Sequence, residues 1–290
     1  MEGFIKKGIG GFYYVQTDQG LIEAKGRGIL KKDGITLAVG DYVEIEIIDE
    51  IEKKGIIQSI YPRKNQFIRP PIVNVDIFVV VFAASRPKPN YALIDKFLVM
   101  AEMNNVEAVI CINKCDAADE TELADMKAIY ENTYPVVCVS GKTGEGIDVL
   151  EKMISGCHAA LAGPSGVGKS TILNTMIPHA NMETGEISQK TKRGKHTTRH
   201  VEIFDVEGGG RVFDTPGFTS FEILEADEDT LQEYYPEIET YRGGCRYDNC
   251  RHIKEPGCAV REAVRDGRIH KRRYQSYEAN IEEIRSKKKY

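Results

Sequence analysis

GPSGVGKS, residues 163–170, fits G-x-x-x-x-G-K-[ST] at every fixed position and follows a short apolar run, HAALA at 158–162, that reads as a strand. In such a segment the glycines, here Gly163, Gly166 and Gly168, let backbone N–H groups turn inward around an anion. Pro164, Ser165 and Val167 complete the loop, Lys169 supplies a point charge for β- and γ-phosphates, and the Ser170 hydroxyl is a ligand of the right hardness for Mg²⁺. A helix read from Lys169 through Thr171 onward, KSTILNTMI, adds the positive end of its dipole. The pattern is that of a phosphate-binding loop, although Gly-rich strand-to-helix turns also occur without a nucleotide.

The company of this loop narrows the reading. NKCD, residues 113–116, follows the strand-like VEAVICI at 106–112. The Asp116 carboxylate can accept two hydrogen bonds from guanine N1–H and the 2-amino group, which adenine cannot offer. An acceptor left unpaired in a closed site is costly, so this one residue can set base choice. Asn113 can bond the purine edge and the Lys114 stem can lie over the ring. Ser140, Gly141 and Lys142 follow VVCV at 136–139 and can close the other side of the base. DTPG, residues 214–217, follows RVF and can hold Mg²⁺ through Asp214 with the Gly217 N–H aimed at a γ-phosphate. Thr197 and Thr198, in GKHTTRH at 194–200, are alternative candidates for completing the metal shell.

Any one of these tetrapeptides could be a solvated turn; together, each behind an apolar run or in a connecting loop, they specify a guanine-nucleotide domain. Their order is unusual, with the base loops first and the phosphate loop afterwards. The predicted domain is therefore a circularly permuted α/β P-loop domain. Permutation is inexpensive there because the site is built from loops at the carboxyl ends of parallel strands, and which loop is cut matters little to the sheet.

Around that centre the 290 residues suggest two further modules. Short runs with Gly turns between them (GFYYVQT, GLIEAKG, DYVEIEII and KGIIQSIY) predict an OB-type β-barrel over 1–66. Its Phe12, Tyr13 and Tyr14 could serve an oligonucleotide face or simply the barrel wall. The permuted domain is expected over 67–222, after the Pro-rich and charged YPRKNQFIRPP at 61–71, and a mainly helical zinc-binding module over 223–290. In CRYDNCRHIKEPGC, the residues Cys245, Cys250, His252 and Cys258 fall within fourteen positions. Three thiolates and an imidazole suit tetrahedral Zn²⁺, and a full set of four protein ligands makes the site structural; reduced, unliganded thiols are the alternative. Cys111, Cys115, Cys138 and Cys157 lie in or beside predicted strands, where Cys acts as a small hydrophobe.

Composition excludes some classes. The longest apolar run, residues 77–84, is far below the ~20 residues of a membrane span. Residues 1–20 lack a signal-peptide apolar stretch, so the expected compartment is the cytoplasm, with no membrane partner and a monomeric state. A net charge of −5 argues against a uniformly basic nucleic-acid binder, leaving local patches. Residues 219–240 hold eight acids and no Lys or Arg, whereas 261–290 hold ten Lys or Arg against five acids. There RIHKRRY, residues 268–274, suits either a phosphate-backbone contact or a solvated helix face. Phosphoryl transfer asks mainly for positioning, and the Gln that many GTPases place after D-x-x-G to orient water is here Phe218. Another group, from this chain or from a partner, must do that work.

Taken together, the barrel, NKCD, GPSGVGKS, GKHTT, DTPGF and the Cys/His segment resemble the RsgA family, also called YjeQ or YloQ, over nearly the whole chain. That resemblance implies a GTPase that binds the small ribosomal subunit and its rRNA, acts in late maturation, and hydrolyses GTP to GDP and phosphate to control its release. It further implies RNA contact by the barrel, Mg²⁺ at the nucleotide and one structural Zn²⁺ on the four Cys/His ligands. His196 matches the family's switch histidine and is the expected water-orienting group, forming a catalytic set with Lys169, Thr197 and Thr198. Lys195 stands where Arg is at least as common. The rival reading is a non-catalytic, GTP-regulated rRNA-binding checkpoint or stress sensor.

Overall fold

The computed structural model describes residues 1–28, 30, 34–68, 70–177, 201–214 and 226–287. Alternation of apolar and polar residues builds the first module. Val43 and Ile45 are buried while Tyr42, Glu44 and Glu46 point to solvent, in one of the five strands of the module. These are β1 (Glu2–Ile9), β2 (Phe12–Thr17), β3 (Gly20–Gly26), β4 (Tyr42–Asp49) and β5 (Lys54–Ile60). Pairing runs β1–β2–β3–β5–β4 and returns from β4 to β1, antiparallel except for β3 with β5. The ring therefore closes, as in the OB-type barrel expected, and closure leaves its strands without free edges. Ile5, Val15, Ile22, Val43, Ile45 and Ile57 fill it.

After a two-stranded ladder of β6 (Gln66–Phe67) and β7 (Ile72–Val73), the central sheet begins with β8 (Ile77–Ala83). It continues through α1 (Tyr91–Met103), β9 (Glu107–Asn113), α2 (Glu120–Ala128), β10 (Val136–Cys138), α3 (Ile147–Met153), β11 (His158–Ala162), α4 (Lys169–Met176), β12 (Glu202–Asp205) and β13 (Arg211–Asp214). The strand order is β10-β9-β8-β11-β13-β12, parallel except for β12. β8 explains its own unbroken apolar run, because both faces are covered. Phe78, Val80 and Phe82 face one apolar cluster with α1 residues Phe97 and Leu98; Val79 and Val81 face another with Leu150 of α3 and Leu173 of α4.

The chain lays β8, β9 and β10 outward in one direction and then returns to set β11 on the opposite flank of β8. That reversal opens a crevice at the carboxyl ends of β8 and β11, where open α/β sheets bind ligands. β12 also pairs with β1 through Lys7 and Glu202, so the barrel and the α/β sheet are continuous. At this junction His158 of β11 lies against barrel residue Phe4, ring centres 4.9 Å apart.

The third module is mainly helical. A 3₁₀ turn (Leu231–Tyr234), α5 (Pro236–Arg242), α6 (Ala259–Arg265) and α7 (Lys271–Lys287) enclose Tyr235, Ile238, Val260, Tyr277 and Ile281. Val99 of α1 belongs to the same cluster, so α1 is covered on one side by its own sheet and on the other by this module. Within RIHKRRY the structure corrects one reading: Arg273 is only 2% exposed and Tyr274 is buried, so neither is available to a nucleic acid. Their neighbours Lys271 and Arg272 remain exposed. No helix among the described residues is long and apolar enough to cross a membrane.

Candidate functional site

Four of the segments singled out in the sequence converge on the carboxyl edge of the sheet: 113–116 after β9, 140–142 after β10, 163–170 after β11, and Asp214 at the end of β13. Strand and helix fix the phosphate loop at either end. Gly163, at φ +143°, lets the chain pass so close to β8 that a Cβ would lie 2.1 Å from the Val81 carbonyl oxygen. Gly168, at φ +97°, leaves room for Asn113, whose amide nitrogen a Cβ would meet at 2.4 Å. Lys169 Nζ donates to the carbonyls of Gly163 at 2.6 Å and Pro164 at 2.9 Å. Burial pushes its ammonium down to about 8, as expected for a cation enclosed without a counter-charge among the described residues. An anionic phosphate would supply that missing charge. Ser170 and Thr171 occupy the first turn of α4, half-buried.

The base loops are braced against this cradle. Asn113 is buried; its Nδ2 donates to Val167 O at 2.8 Å and its Oδ1 accepts from Gly141 N at 3.0 Å. The bonds it makes thus tie the phosphate loop to the 140–142 loop. Lys114, in the left-handed region at φ +64°, sends Nζ to Gly166 O at 2.8 Å and Arg86 O at 2.5 Å, laying its stem beside the crevice. Asp116 stays exposed, with Oδ1 accepting from the buried Ser140 Oγ at 2.7 Å. Ser140 Oγ in turn accepts from Thr143 N at 3.1 Å, which fixes the hydroxyl as the donor to Asp116. Thr175 of α4 donates to Gly141 O at 2.7 Å, a support the sequence did not signal. Lys142 is exposed beside these groups. His196, Thr197, Thr198 and Gly217 lie outside the described residues, and Asp214 is described as the last residue of β13.

The Cys/His segment folds around a second centre. The ligand atoms of Cys245, Cys250, His252 and Cys258 all lie within 4.8 Å of one another. Cys245 Sγ is 3.9 Å from Cys258 Sγ, and His252 Nδ1 is 3.5 and 3.3 Å from those two sulfurs. Tetrahedral Zn²⁺ with Zn–S of ~2.3 Å and Zn–N of ~2.0 Å requires S···S of about 3.8 Å and S···N of about 3.5 Å, so the donor set fits such an ion. Burial lowers His252 to about 4, keeping the imidazole in the neutral, ligating form. Its other nitrogen, Nε2, lies 2.7 Å from Gln232 Oε1, an acceptor that orients the ring. Sequence spacing gave no hint of Gln232. Tyr274 Oη donates to His252 O at 2.6 Å and Tyr277 Oη to Arg251 O at 3.0 Å, so α7 fastens the ligand loop.

Comparison with known proteins agrees with this geometry. Residues 60–224 match the family model described as RsgA GTPase, and residues 2–57 match the RsgA N-terminal domain. Curated relatives named small ribosomal subunit biogenesis GTPase RsgA include one from Alkaliphilus metalliredigens, 46% identical over 100% of this chain and 99% of its own length. Another, from Clostridium kluyveri, is 47% identical with both chains fully covered. Among solved structures, YjeQ from Thermotoga maritima superposes with a TM-score of 0.84 at 35% identity, covering 98% of each chain. YloQ, described as a circularly permuted GTPase, gives 0.81 at 36% identity over 99% of this chain and 95% of its own. The matches thus run along the whole length of the chain, through the barrel, the permuted GTPase domain and the segment with the Cys₃His cluster, and the chain belongs to the RsgA GTPase family.

Proposed function

We propose that this GTPase binds the small ribosomal subunit and acts in its late maturation, hydrolysing GTP to GDP and phosphate to set when it leaves. The observation that carries the nucleotide half is the Ser140–Asp116 bond of 2.7 Å across the crevice from the Lys169 cradle, which pairs a guanine-selective acceptor with a phosphate-binding cation. The curated names of the relatives supply the subunit. Division at 66/67 and 222/223 gives three working units: barrel, permuted GTPase and metal module.

In this reading Lys169 exchanges its two loop carbonyls for β- and γ-phosphate oxygens, while Asp116, held by Ser140, accepts from the guanine edge. Gly141, Lys142 and the Lys114 stem bound the base. Mg²⁺, held through Ser170, Asp214 and either Thr197 or Thr198, supplies charge neutralisation at the phosphates. His196 orients the attacking water in place of the absent Gln, and Gly217 reports the γ-phosphate. Cys245, Cys250, His252 and Cys258 hold one Zn²⁺ that shapes the third module. Contact with rRNA falls to the barrel, where Lys25 Nζ sits 4.4 Å above the Phe12 ring, and to exposed basic residues such as Lys271 and Arg272. The site of action is the cytoplasm, where thiols stay reduced.

Fluorescent GDP and ADP titrated onto wild type and Lys169→Ala test the nucleotide half. Selective binding of GDP, weakened about tenfold or more in the variant, is expected from loss of a charge-assisted contact. Equal affinity for both nucleotides, or an unaffected variant, refutes the assignment.

A further inference from the structure

Two thiols outside the Cys₃His cluster meet beneath the guanine loops. Cys115 lies inside the 113–116 segment; its N–H donates to Val139 O at 3.2 Å and its Sγ to Ile112 O at 3.0 Å. Ile112 is the residue directly opposite Cys138 in the parallel β9–β10 ladder. Both side chains are half-buried and pack on the same apolar cluster, and the Cys115 N–H bond to Val139 O sets Cys115 against the residue that follows Cys138. We propose that Cys115 and Cys138 form a peroxide-sensitive pair, a modification site whose oxidation to a disulfide weakens guanine-nucleotide binding.

The two sulfurs are unequal, which suits a nucleophile and its resolving partner. The Cys115 thiol beside it and the Lys127 ammonium, opposed by burial and the Glu145 carboxylate, bring Cys138 down to about 7. The Cys138 sulfur beside it, together with burial, keeps on Cys115 the proton that the Ile112 carbonyl accepts. Near neutral pH a substantial fraction of Cys138 is therefore thiolate, the reactive form. Its sulfur attacks one oxygen of hydrogen peroxide, the O–O bond breaks, and hydroxide leaves, giving a sulfenic acid. Cys115 sulfur then attacks the Cys138 sulfur; the S–O bond breaks, and hydroxide departs with the Cys115 proton as water. Two thiols and one peroxide yield one disulfide and two waters.

To reach Cys138, the Cys115 sulfur must leave the Ile112 carbonyl and turn the 3₁₀ segment Cys115–Ala117 that carries Asp116. Asp116 is held by Ser140, two residues beyond Cys138, so the shift alters the aim of the carboxylate. The expected loss is that of a charge-assisted hydrogen bond, about tenfold in affinity.

The experiment treats the full-length, zinc-loaded protein with graded hydrogen peroxide, holding the dose below that at which zinc is released. Peptide mapping and GDP affinity are followed together. A Cys115–Cys138 linked peptide, a GDP Kd raised about tenfold and recovery with dithiothreitol are expected. Cys138→Ser and Cys138→Ala should bind GDP like reduced wild type and lose the response. Absence of the linked peptide, a linked peptide with unchanged Kd, or a Cys138 variant that still responds overturns the proposal. The change in Kd rests on the guanine-site reading, whereas the linked peptide does not. Failure of the reduced protein to bind GDP would refute that reading and with it the effect on nucleotide.

Discussion

Arg273 Nη1 lies 2.6 Å from Asp95 Oδ1, and both residues are almost wholly buried, joining α7 of the metal module to α1 of the GTPase domain. Arg273 Nε also pairs with Glu237 at 2.6 Å, and its guanidinium lies over the rings of Tyr235, Tyr130 and Tyr134 at 4.8, 5.5 and 5.5 Å. Burial raises Asp95, with Glu237 adding to the rise and Arg273 and the Ser276 hydroxyl opposing it. Tyr130 and Tyr134 precede β10, the strand that leads into Ser140. The same guanidinium thus touches the metal module and the segment behind the base loops.

Breaking a buried pair from one side leaves an uncompensated charge, which costs about 3–5 kcal/mol, whereas replacing both partners by apolar groups is often near neutral. Arg273→Met should therefore lower the thermal midpoint sharply, and adding Asp95→Leu should recover the part due to Asp95 while Glu237 stays unpaired. A double-mutant cycle by thermal unfolding checks this; additive losses would show that the pair is not coupled.

Asp116→Asn exchanges a pair of acceptors for one acceptor and one donor. GTP affinity should fall by about tenfold or more while affinity for XTP, whose C2 carbonyl accepts from the new amide, should rise. Competition binding decides it, and a variant that keeps GTP and ignores XTP contradicts the base-loop assignment.

Which parts of this site were legible in the sequence follows from how local their causes are. The phosphate loop is written in consecutive residues, because Gly163 and Gly168 answer steric demands that only Gly meets and Lys169 opens a helix. The barrel's alternation and the Cys/His spacing are equally local. Bonds between distant segments are not: Asn113 reaches Val167 across 54 positions, and nothing near it in sequence signals that brace. Arg273 reads as one more cation in a basic stretch until α1 brings Asp95 to it. Gln232 lies thirteen positions before the first cysteine ligand and gains its role only when His252 turns its ring.

His158 makes the barrel junction sensitive to pH. Arg211 can only donate, so with Nη1 at 3.1 Å the His158 Nε2 must be unprotonated, and Nδ1–H donates to Asn74 O at 3.2 Å. Burial lowers its pKa, with Arg211 and Lys64 adding to the effect and Asp76 and the Asn74 carbonyl opposing it. The unfolded chain, titrating near ~6.5, then binds more protons than the folded one, so this contribution is present above that value and is lost as pH falls through ~6.5 toward the folded pKa. Thermal unfolding from about pH 7.5 to about pH 5 should show a shallower decline for His158→Gln than for wild type. Parallel declines would remove His158 as a source of the pH dependence.

For the metal, elemental analysis should find about one zinc per chain, and Cys250→Ser should lose it while GDP binding stays nearly intact. Gln232→Leu should keep the four ligands yet weaken zinc about 10- to 100-fold, as loss of an outer partner does. Chelator competition measures both; full zinc retention in Cys250→Ser contradicts the ligand set.

The central claim, a GTPase whose chemistry is completed on the small subunit, is tested most directly by single-turnover phosphate release from GTP with and without saturating small subunits, for wild type and His196→Ala. Strong acceleration of wild type is predicted, with most of it, on the order of 10²-fold, lost in His196→Ala at unchanged GTP affinity. A wild-type rate that the subunit leaves unchanged would contradict the account.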